Sequence, residues 1–483
     1  MHRPISASLL LLSLAGSAYA QVVQNDEQRS TLSDQQEVAV TIYNENLALI
    51  KDQRKLQLKR GASALAFRDV SARMRPETAL LRSVTAPGSL SVVEQNFNFD
   101  LLTPQKLLEK YVGRNVNIIR TNTATGAETT ESAQVLSANN GVVLKIGDRI
   151  ETGLPGRIIY PDVPANLRDR PTLVMALDNN GAQQQDVELS YLTGGLSWKA
   201  DYVIELNATD DKLDISGWVT LGNTSGATYR NAKLQLVAGD VHQVTQRVEV
   251  TGSSRAKSDT RLAMVAAPAM AEESLFEYHL YTLDRPTTIA ENQTKQVALL
   301  AASGVLARKE LLLTGNDYYY QSSYGDLGQK MKIGVFVEFD NKEASQLGMP
   351  LPKGVVRVYK KDGKGNAQFI GEDSIDHTPK NEKVRLKLGD AFDVTADKKQ
   401  TDFKKLAGSG KYNYVFESAY ELVLKNAKKE AVVVTVQEPM PGDWQVLNTS
   451  HPFTKSASNT AVWKITVPAE GNTKLTYRSL VKY

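Results

Sequence analysis

The sequence predicts a mainly β protein: multidomain antiparallel β-sandwiches, with a small SH3/Sm-like barrel inserted near the start and an immunoglobulin-like sandwich at the C-terminus. Three observations support this prediction. Apolar and polar residues alternate along many short segments, such as Val38–Tyr43 and Lys383–Leu388, as they do in sheets with one wet face. Turn-forming Gly and Asn residues separate these segments. Only one segment combines the caps and the spacing of a helix.

The composition bounds the class of protein. The 483 residues include 57 Lys and Arg against 54 Asp and Glu, and no Cys. The lack of Cys excludes disulfide scaffolds and thiolate metal sites. The balanced charge gives no overall attraction to nucleic acid, so no nucleic-acid partner is predicted. At roughly 150 residues per domain, the length predicts about three domains.

The N-terminus predicts export. Arg3 precedes a short apolar run, Ile5–Leu14, and Ala18–Ala20 places small residues where a signal peptidase reads them. Residues 1–20 are therefore expected to be a signal peptide that is cleaved after Ala20. The apolar run is too short for a membrane span and no later run is long enough, so no transmembrane helix is predicted. We expect a periplasmic or secreted protein, and the lack of Cys suits a bacterial periplasm.

Changes in composition and in hydrophobic periodicity along the chain predict the domain boundaries. Polar, Gln-rich sequence precedes the first strand, and a Ser- and Ala-rich stretch without periodicity interrupts the strands near the middle. The predicted segments are a disordered leader (21–36), an N-terminal β-sandwich domain (37–250) with the small barrel inserted at about 112–164, a flexible loop (251–273), a middle β domain (274–410) and the C-terminal immunoglobulin-like sandwich (411–483).

One helix and the small barrel are predicted from local signals. Thr103 can cap the helix, Pro104 suits its first position and Gly113 can end it. The following residues, Arg114–Pro164, hold several short apolar runs with Gly at the bends, which is typical of a small barrel. Within 286–313 the sequence leaves helix and strand open, since Val297–Leu306 fits either period.

Further strands are predicted toward the C-terminus. Asp362–Asn366 forms the turn of a hairpin, because its residues accept positive φ. The region from Lys353 to Lys411 is rich in Lys, and we expect its charges to form a solvated sheet edge that deters aggregation.

Four stretches resemble a known family, and they span most of the chain. They are VTIYNENLALIKDQRKLQLKRGASALAFRDVSARMRPETALL (Val40–Leu81), YLTGGLSWKADYVIEL (Tyr191–Leu206), GWVTLGNTSGATYRNAKLQLVAGD (Gly217–Asp240) and VWKITVPAEGNTKLTYRSL (Val462–Leu480). They are similar to a bacterial exported family catalogued as domain of unknown function 4139, with some relatives labelled mucoidy inhibitor A. The resemblance implies an exported protein linked to envelope polysaccharide physiology, and it implies no reaction.

Two family motifs have a structural interpretation. Ser197 and Trp198 are followed by Tyr202, a spacing that places the two aromatic rings on one face of a strand, where they can fill a join between sheets. Many family members have Pro between Trp and Tyr, where this chain has Lys199–Asp201, so the local turn can differ. The second motif, from Asn223 to Gly226, is typical of a tight turn.

The sequence shows no catalytic constellation, no cofactor motif and no metal motif. The four His residues after the signal peptide are far apart and lack metal-binding spacing: His242, His279, His377 and His451. Paired carboxylates of a hydrolase cannot be identified, because their partners come from distant strands. An enzyme acting on envelope glycan therefore remains an alternative.

A candidate interaction surface comprises Tyr318, Tyr319, Tyr320 and Tyr324. Consecutive tyrosines place at least one ring on the surface, and aromatic rings beside polar side chains suit the faces of sugars. The alternative is that these rings pack between domains.

The sequence as a whole predicts an exported cell-envelope protein that acts in the periplasm as a non-catalytic binding or scaffolding module. Its expected partners are envelope proteins or polysaccharide. Two alternatives stay open. One is a hydrolase or binder acting on envelope glycan or peptidoglycan. The other is an outer-membrane barrel, because the chain ends in an aromatic-terminated strand, Leu475–Tyr483.

Overall fold

The computed structural model describes residues 27–44, 46–164, 167–239, 241–242, 270–408 and 410–483. The predicted signal peptide, the first part of the leader and most of the predicted loop at 251–273 lie outside these residues. Among the described residues there are thirty strands and one α-helix, which confirms the mainly β prediction.

Sixteen strands precede residue 240. They are β1 (Glu27–Ser30), β2 (Gln35–Tyr43), β3 (Leu47–Gln57), β4 (Gly61–Arg68), β5 (Leu80–Ser83), β6 (Leu90–Asn98), β7 (Asn115–Thr121), β8 (Glu128–Ser137), β9 (Val143–Ile146), β10 (Arg149–Thr152), β11 (Arg157–Ile159), β12 (Thr172–Asn179), β13 (Gln184–Thr193), β14 (Leu196–Leu206), β15 (Lys212–Asn223) and β16 (Tyr229–Ala238).

Fourteen strands follow residue 270. They are β17 (Ala271–Leu275), β18 (Tyr278–Thr282), β19 (Thr287–Ile289), β20 (Gln293–Thr314), β21 (Asp326–Asp340), β22 (Gly354–Lys361), β23 (Ala367–Ile375), β24 (Lys383–Leu406), β25 (Val415–Asn426), β26 (Val432–Pro439), β27 (Asp443–Thr449), β28 (Phe453–Ala457), β29 (Thr460–Val467) and β30 (Gly471–Lys482). The segment that the sequence left open between helix and strand, Val297–Leu306, is part of β20.

The helix, α1 (Pro104–Lys110), begins at an N-cap. The Thr103 side chain accepts a hydrogen bond from the Lys106 backbone nitrogen at 3.1 Å, which satisfies one of the free N–H groups of the first turn. Single 3₁₀ turns are found at Leu32–Asp34, Pro76–Thr78, Asp317–Tyr320 and Glu343–Ser345. No helix of the described residues is long and apolar enough to cross a membrane.

The chain divides into two compact units. The first comprises the described residues of Met1–Trp198, Leu221–Val241 and Leu280–Lys295, and the second those of Lys199–Thr220, His242–His279 and Gln296–Tyr483.

The first unit contains three groups of paired strands. One sheet has the order β1-β4-β12-β6, and β16-β2-β3-β13-β5 are consecutive strands of another. The third sheet has the order β10-β9-β8-β7-β11, so β10 and β11 are its edges. Helix α1 packs on this third sheet, where Tyr111 is buried together with Val116, Ile118 and Leu144. This small sheet therefore has a core of its own.

The second unit is built on a long antiparallel-rich sheet with the order β23-β22-β14-β15-β20-β21-β24-β25-β30-β27. Strand β26 pairs with β20 and β29, and β29 also pairs with β28. Side chains of β24, β25 and β30 share one core with those of β26 and β29. The sheet therefore continues from β20 through β26 to β29 and β28, and this part forms a second layer across the shared core from β24, β25 and β30.

Candidate functional site

The four predicted tyrosines lie together, but they divide between surface and core. Tyr318 is 47% exposed and Tyr324 is half-buried, whereas Tyr319 and Tyr320 are buried. Three of them belong to the 3₁₀ turn Asp317–Tyr320, in which successive side chains point in different directions because each residue rotates the chain by about a third of a turn. The Tyr318 ring is 4.8 Å from that of Tyr319 and 5.7 Å from that of Tyr324, measured between centroids.

Gln400 of β24 fixes the backbone of this turn. Its amide nitrogen donates to the carbonyl oxygens of Tyr319 at 3.3 Å and Ser322 at 3.1 Å, and its oxygen accepts from the Tyr324 backbone nitrogen at 2.6 Å. The Tyr420 hydroxyl also donates to the Tyr319 carbonyl at 2.7 Å. The exposed rings are therefore mounted on a backbone that the core holds in place.

Beneath the turn lies a buried ion pair. Lys398 of β24 donates from Nζ to Oε1 of Glu438 on β26 at 2.6 Å, and both side chains are only 1% exposed. The Tyr320 hydroxyl donates to the other carboxylate oxygen, Oε2, at 2.9 Å. The Tyr477 hydroxyl lies 2.9 Å from that of Tyr320 and can donate to it. The pair thus connects the two strand layers.

Aromatic rings surround the ammonium group. Nζ of Lys398 lies 4.4 Å from the ring centroid of Tyr319, 5.1 Å from that of Tyr420 and 5.8 Å from that of Tyr477. Ring faces attract a cation, but they replace only part of the water it has lost. Burial lowers the pKa of the Lys398 ammonium. It raises the pKa of the hydroxyls of Tyr320 and Tyr477 well above their ordinary value, so both remain protonated donors.

Glu438 also depends on a glycine. A Cβ atom at Gly315 would lie 2.1 Å from Oε2 of Glu438, so only glycine allows the carboxylate to approach the backbone there. The site is therefore built from five segments of the chain: the turn that follows Gly315, and strands β24, β25, β26 and β30.

The prediction of a solvated, Lys-rich sheet edge is wrong for Lys398. Val394, Ala396, Lys398 and Gln400 are all buried and alternate along β24, while Lys399 faces solvent. Glu438 likewise follows the buried residues Val434 and Val436 on β26. Lys398 and Glu438 fall on the buried positions of the two-residue alternation in their strands, and this signal could have identified both. The high Lys content of the region concealed it.

The two family motifs are largely buried. Trp198 is buried in the first unit and Tyr202 in the second, while Ser197 is exposed. The Tyr202 hydroxyl donates to the Pro352 carbonyl at 2.8 Å. These positions suit a packing role.

Asn223 holds the turn of the second motif. Its amide nitrogen donates to the carbonyls of Ala227 at 2.8 Å and Ile289 at 3.2 Å, and its oxygen accepts from the Ser225 backbone nitrogen at 3.0 Å. Gly226 has a φ of +83°, and a Cβ there would lie 2.5 Å from Cβ of Ala72. The motif is thus a buried polar anchor that requires glycine at its end.

Hydroxyl groups that the sequence analysis missed surround this turn. The Ser71 hydroxyl is 2.6 Å from that of Thr193 and donates to the Ser225 carbonyl at 2.9 Å, and the Tyr191 hydroxyl accepts from the Ser71 backbone nitrogen. Burial raises the pKa of Tyr229, which contacts the Ser225 hydroxyl, to about 12. Because these partners are distant in sequence, no local pattern could have revealed them.

Metal-binding geometry is absent from the part of the chain that the structure describes, where no three His, Asp or Glu side chains group closely enough to hold an ion. His279 lies in the second unit beside Glu272, at 2.7 Å, and His451 beside Ser450, at 2.8 Å. A cleft of about 210 Å³ in the second unit contains Asp210, but its carboxylate already accepts hydrogen bonds from Lys309 and Lys360.

Comparison with known proteins gives one match. A family model described as "Domain of unknown function (DUF4139)" matches residues 187–483, which is more than half of the chain. No curated protein matches the chain. The matched residues include both family motifs, the segment Asp317–Tyr324, which we call the tyrosine turn, and the buried ion pair.

Substitution of Gly226 tests the tight turn. Gly226→Ala should destabilise the protein by about 1–2 kcal/mol through its positive φ, and by about 1–3 kcal/mol more through the clash with Ala72. Gly88 has nearly the same φ, +81°, and open space around it, so Gly88→Ala is the matched control that carries the φ term alone. Equal losses in urea unfolding of the two variants would argue against a packed turn.

The buried pair predicts a characteristic pattern in unfolding experiments. Lys398→Met leaves a carboxylate buried without its cation, which costs about 3–5 kcal/mol. Adding Glu438→Leu removes that carboxylate, so the double variant should be more stable than Lys398→Met alone. Chemical unfolding of the two purified variants measures the difference. A double variant no more stable than the single would show that Glu438 is not desolvated.

Proposed function

The chain belongs to the DUF4139 family, whose description names no activity, and we propose from its own surface that it is an exported, non-catalytic binding or scaffolding module of the cell envelope. The observation that carries this proposal is the pair of accessible rings, Tyr318 and Tyr324, on a turn that the core holds rigidly.

Rigid aromatic side chains suit the centre of a binding surface. They bury a large area on contact with a partner, and they lose little conformational freedom because they are already held in place. Here Tyr319 and Tyr320 anchor the turn in the core, and Gln400 ties its backbone to β24. The turn therefore presents Tyr318 and Tyr324 in a fixed geometry.

More aromatic rings extend from β24 and β25 of the same unit. Phe403 stacks on Phe416 with centroids 5.6 Å apart, and Tyr414, which is exposed, stacks on Phe416 at 6.2 Å. The ring of Tyr483 is 6.1 Å from that of Phe416, measured between centroids. Burial raises the pKa of the Tyr483 hydroxyl, and the carboxylate of Asp317 acts in the same direction. Tyr483 thus lies between the rings stacked on Phe416 and the acidic residue of the tyrosine turn, Asp317.

The proposed location is the periplasm or the extracellular space. The apolar N-terminal run and the small residues up to Ala20 support export, and a chain without Cys needs no oxidative folding. The proposed partners are envelope proteins or polysaccharide. Polar side chains beside the rings, such as Asn316 and Gln321, can bond to either class of partner.

Localisation tests the export step. We expect the protein in the periplasmic or secreted fraction of a bacterial host, with Gln21 at its N-terminus, as the free or the cyclised residue, by mass spectrometry of the N-terminal peptide. A chain that stays in the cytoplasm and begins at Met1 or His2 would contradict export.

Capture from envelope extract tests the binding step. Replacing Tyr318 and Tyr324 with Ala should lower retention of the bound partner about tenfold or more, because central aromatic anchors dominate binding energy. Phe369→Ala is the matched control: Phe369 is 55% exposed, and its ring is 5.7 Å from that of Tyr359, the same spacing as in the Tyr318–Tyr324 pair.

Analysis of the captured material for protein and for sugar distinguishes the two partner classes. Equal retention by the wild type, the double variant and the Phe369→Ala variant would contradict a role for the tyrosine turn.

A further inference from the structure

We propose that Lys398 and Glu438 condense to form an intramolecular amide bond, an isopeptide crosslink between β24 and β26. Their reacting groups are already in contact, with Nζ 2.6 Å from Oε1, and both side chains are almost fully removed from water. This covalent modification is independent of the proposed binding function.

The hydrogen-bond inventory disfavours the ionic form of the pair. An ammonium group has three protons to donate. Among the described residues, the only hydrogen bond from Nζ of Lys398 goes to Glu438, and its other close neighbours are aromatic rings. A neutral amine makes a smaller demand on its surroundings. Burial also lowers the pKa of Lys398, which favours the neutral amine that can act as a nucleophile.

The reaction needs no reagent beyond the two side chains. Proton transfer from the ammonium to Oε1 gives a neutral amine and a carboxylic acid. The amine nitrogen then attacks the carboxyl carbon, a C–N bond forms, and the bond from carbon to Oε1 breaks. Oε1 leaves as water with its own proton and one from the amine. Oε2 stays as the amide oxygen.

Tyrosine hydroxyls are placed to assist at Oε2. Tyr320 donates to Oε2 at 2.9 Å, so it can stabilise negative charge that develops on this oxygen during the attack. The Tyr477 hydroxyl lies 2.9 Å from the Tyr320 hydroxyl. By donating a hydrogen bond to that oxygen, it makes the Tyr320 hydroxyl a stronger donor to Oε2. The absence of a side chain at Gly315 lets the carboxylate lie close to the backbone. These contacts hold the carboxyl group in one orientation toward the amine.

Burial, rather than distance, distinguishes this pair from the other lysine–carboxylate pairs of the described residues. Nζ of Lys361 is also 2.6 Å from a carboxylate oxygen, that of Glu205, but these side chains are 60% and 28% exposed. Water stabilises both ions there, and condensation is unfavourable. The Lys398 and Glu438 side chains are each 1% exposed, so their ions lose most of this stabilisation.

The crosslink would give this protein a covalent staple without cysteine. It would join the two strand layers on either side of one core, and it would close a loop of the chain between residues 398 and 438. Closing a loop restricts the unfolded chain, which is how a disulfide stabilises exported proteins.

The mass of the intact protein tests the proposal directly. The purified wild-type chain, denatured and measured by mass spectrometry, should be lighter than its sequence by one water molecule. Proteolysis should then give a branched peptide containing both Lys398 and Glu438. A mature N-terminal Gln21 can cyclise, but that loses ammonia and maps to another peptide. A chain of full mass, with separate peptides for Lys398 and Glu438, would overturn the proposal.

Two variants test whether the missing water comes from condensation at Lys398. Lys398→Arg keeps the positive charge but has no primary amine, so its mass should equal the mass calculated from its sequence. Lys361→Arg changes the matched exposed pair and should still lack one water. Loss of water in the Lys398→Arg chain would overturn the assignment, and the wild-type measurement remains decisive if that variant does not fold.

Discussion

Lys398 and Glu438 are both buried, so each must remain in contact with the other to compensate its lost hydration. The second unit is organised around that constraint. Lys398 comes from one strand layer and Glu438 from the other, so neither charge is compensated unless the layers meet in register. Apolar residues such as Trp463 and Leu422 fill the same core and tolerate many arrangements. The contact between Lys398 and Glu438 forms in one arrangement only, and we infer that it specifies the packing that the apolar residues stabilise.

The same constraint reaches the surface through two consecutive residues. Tyr320 bonds to Glu438, and Tyr319 places its ring over the Lys398 ammonium. Because these residues are fixed, the neighbouring ring of Tyr318 projects from a defined backbone. The accessible part of the proposed binding surface is thus supported by the buried part. In the first unit Asn223 has a comparable structural role, since its amide ties a tight turn to a neighbouring strand.

The sequence predicted the fold class well because alternation is a local property. In segments such as Val38–Tyr43 the alternation of apolar and polar residues shows directly which face is buried. The turn at Asn223–Gly226 was predictable because it ends in Gly226, which accepts a positive φ that most residues avoid. The candidate site was harder to predict. A run of tyrosines does not show that a 3₁₀ turn will place two inside and one outside. Lys398 was hidden by the lysines around it, and its partner is forty residues away.

The central claim is that Lys398 and Glu438 are enclosed together in the core, each 1% exposed, and lysine acylation of the native protein tests it most directly. Lys399 is the ideal internal reference, since it is the next residue on β24 and is 56% exposed. We expect Lys399 to react readily under native conditions while Lys398 stays unmodified, either as a buried amine or as the proposed amide. Modification of both residues at similar rates would show that Lys398 meets solvent, and it would contradict this account of the core.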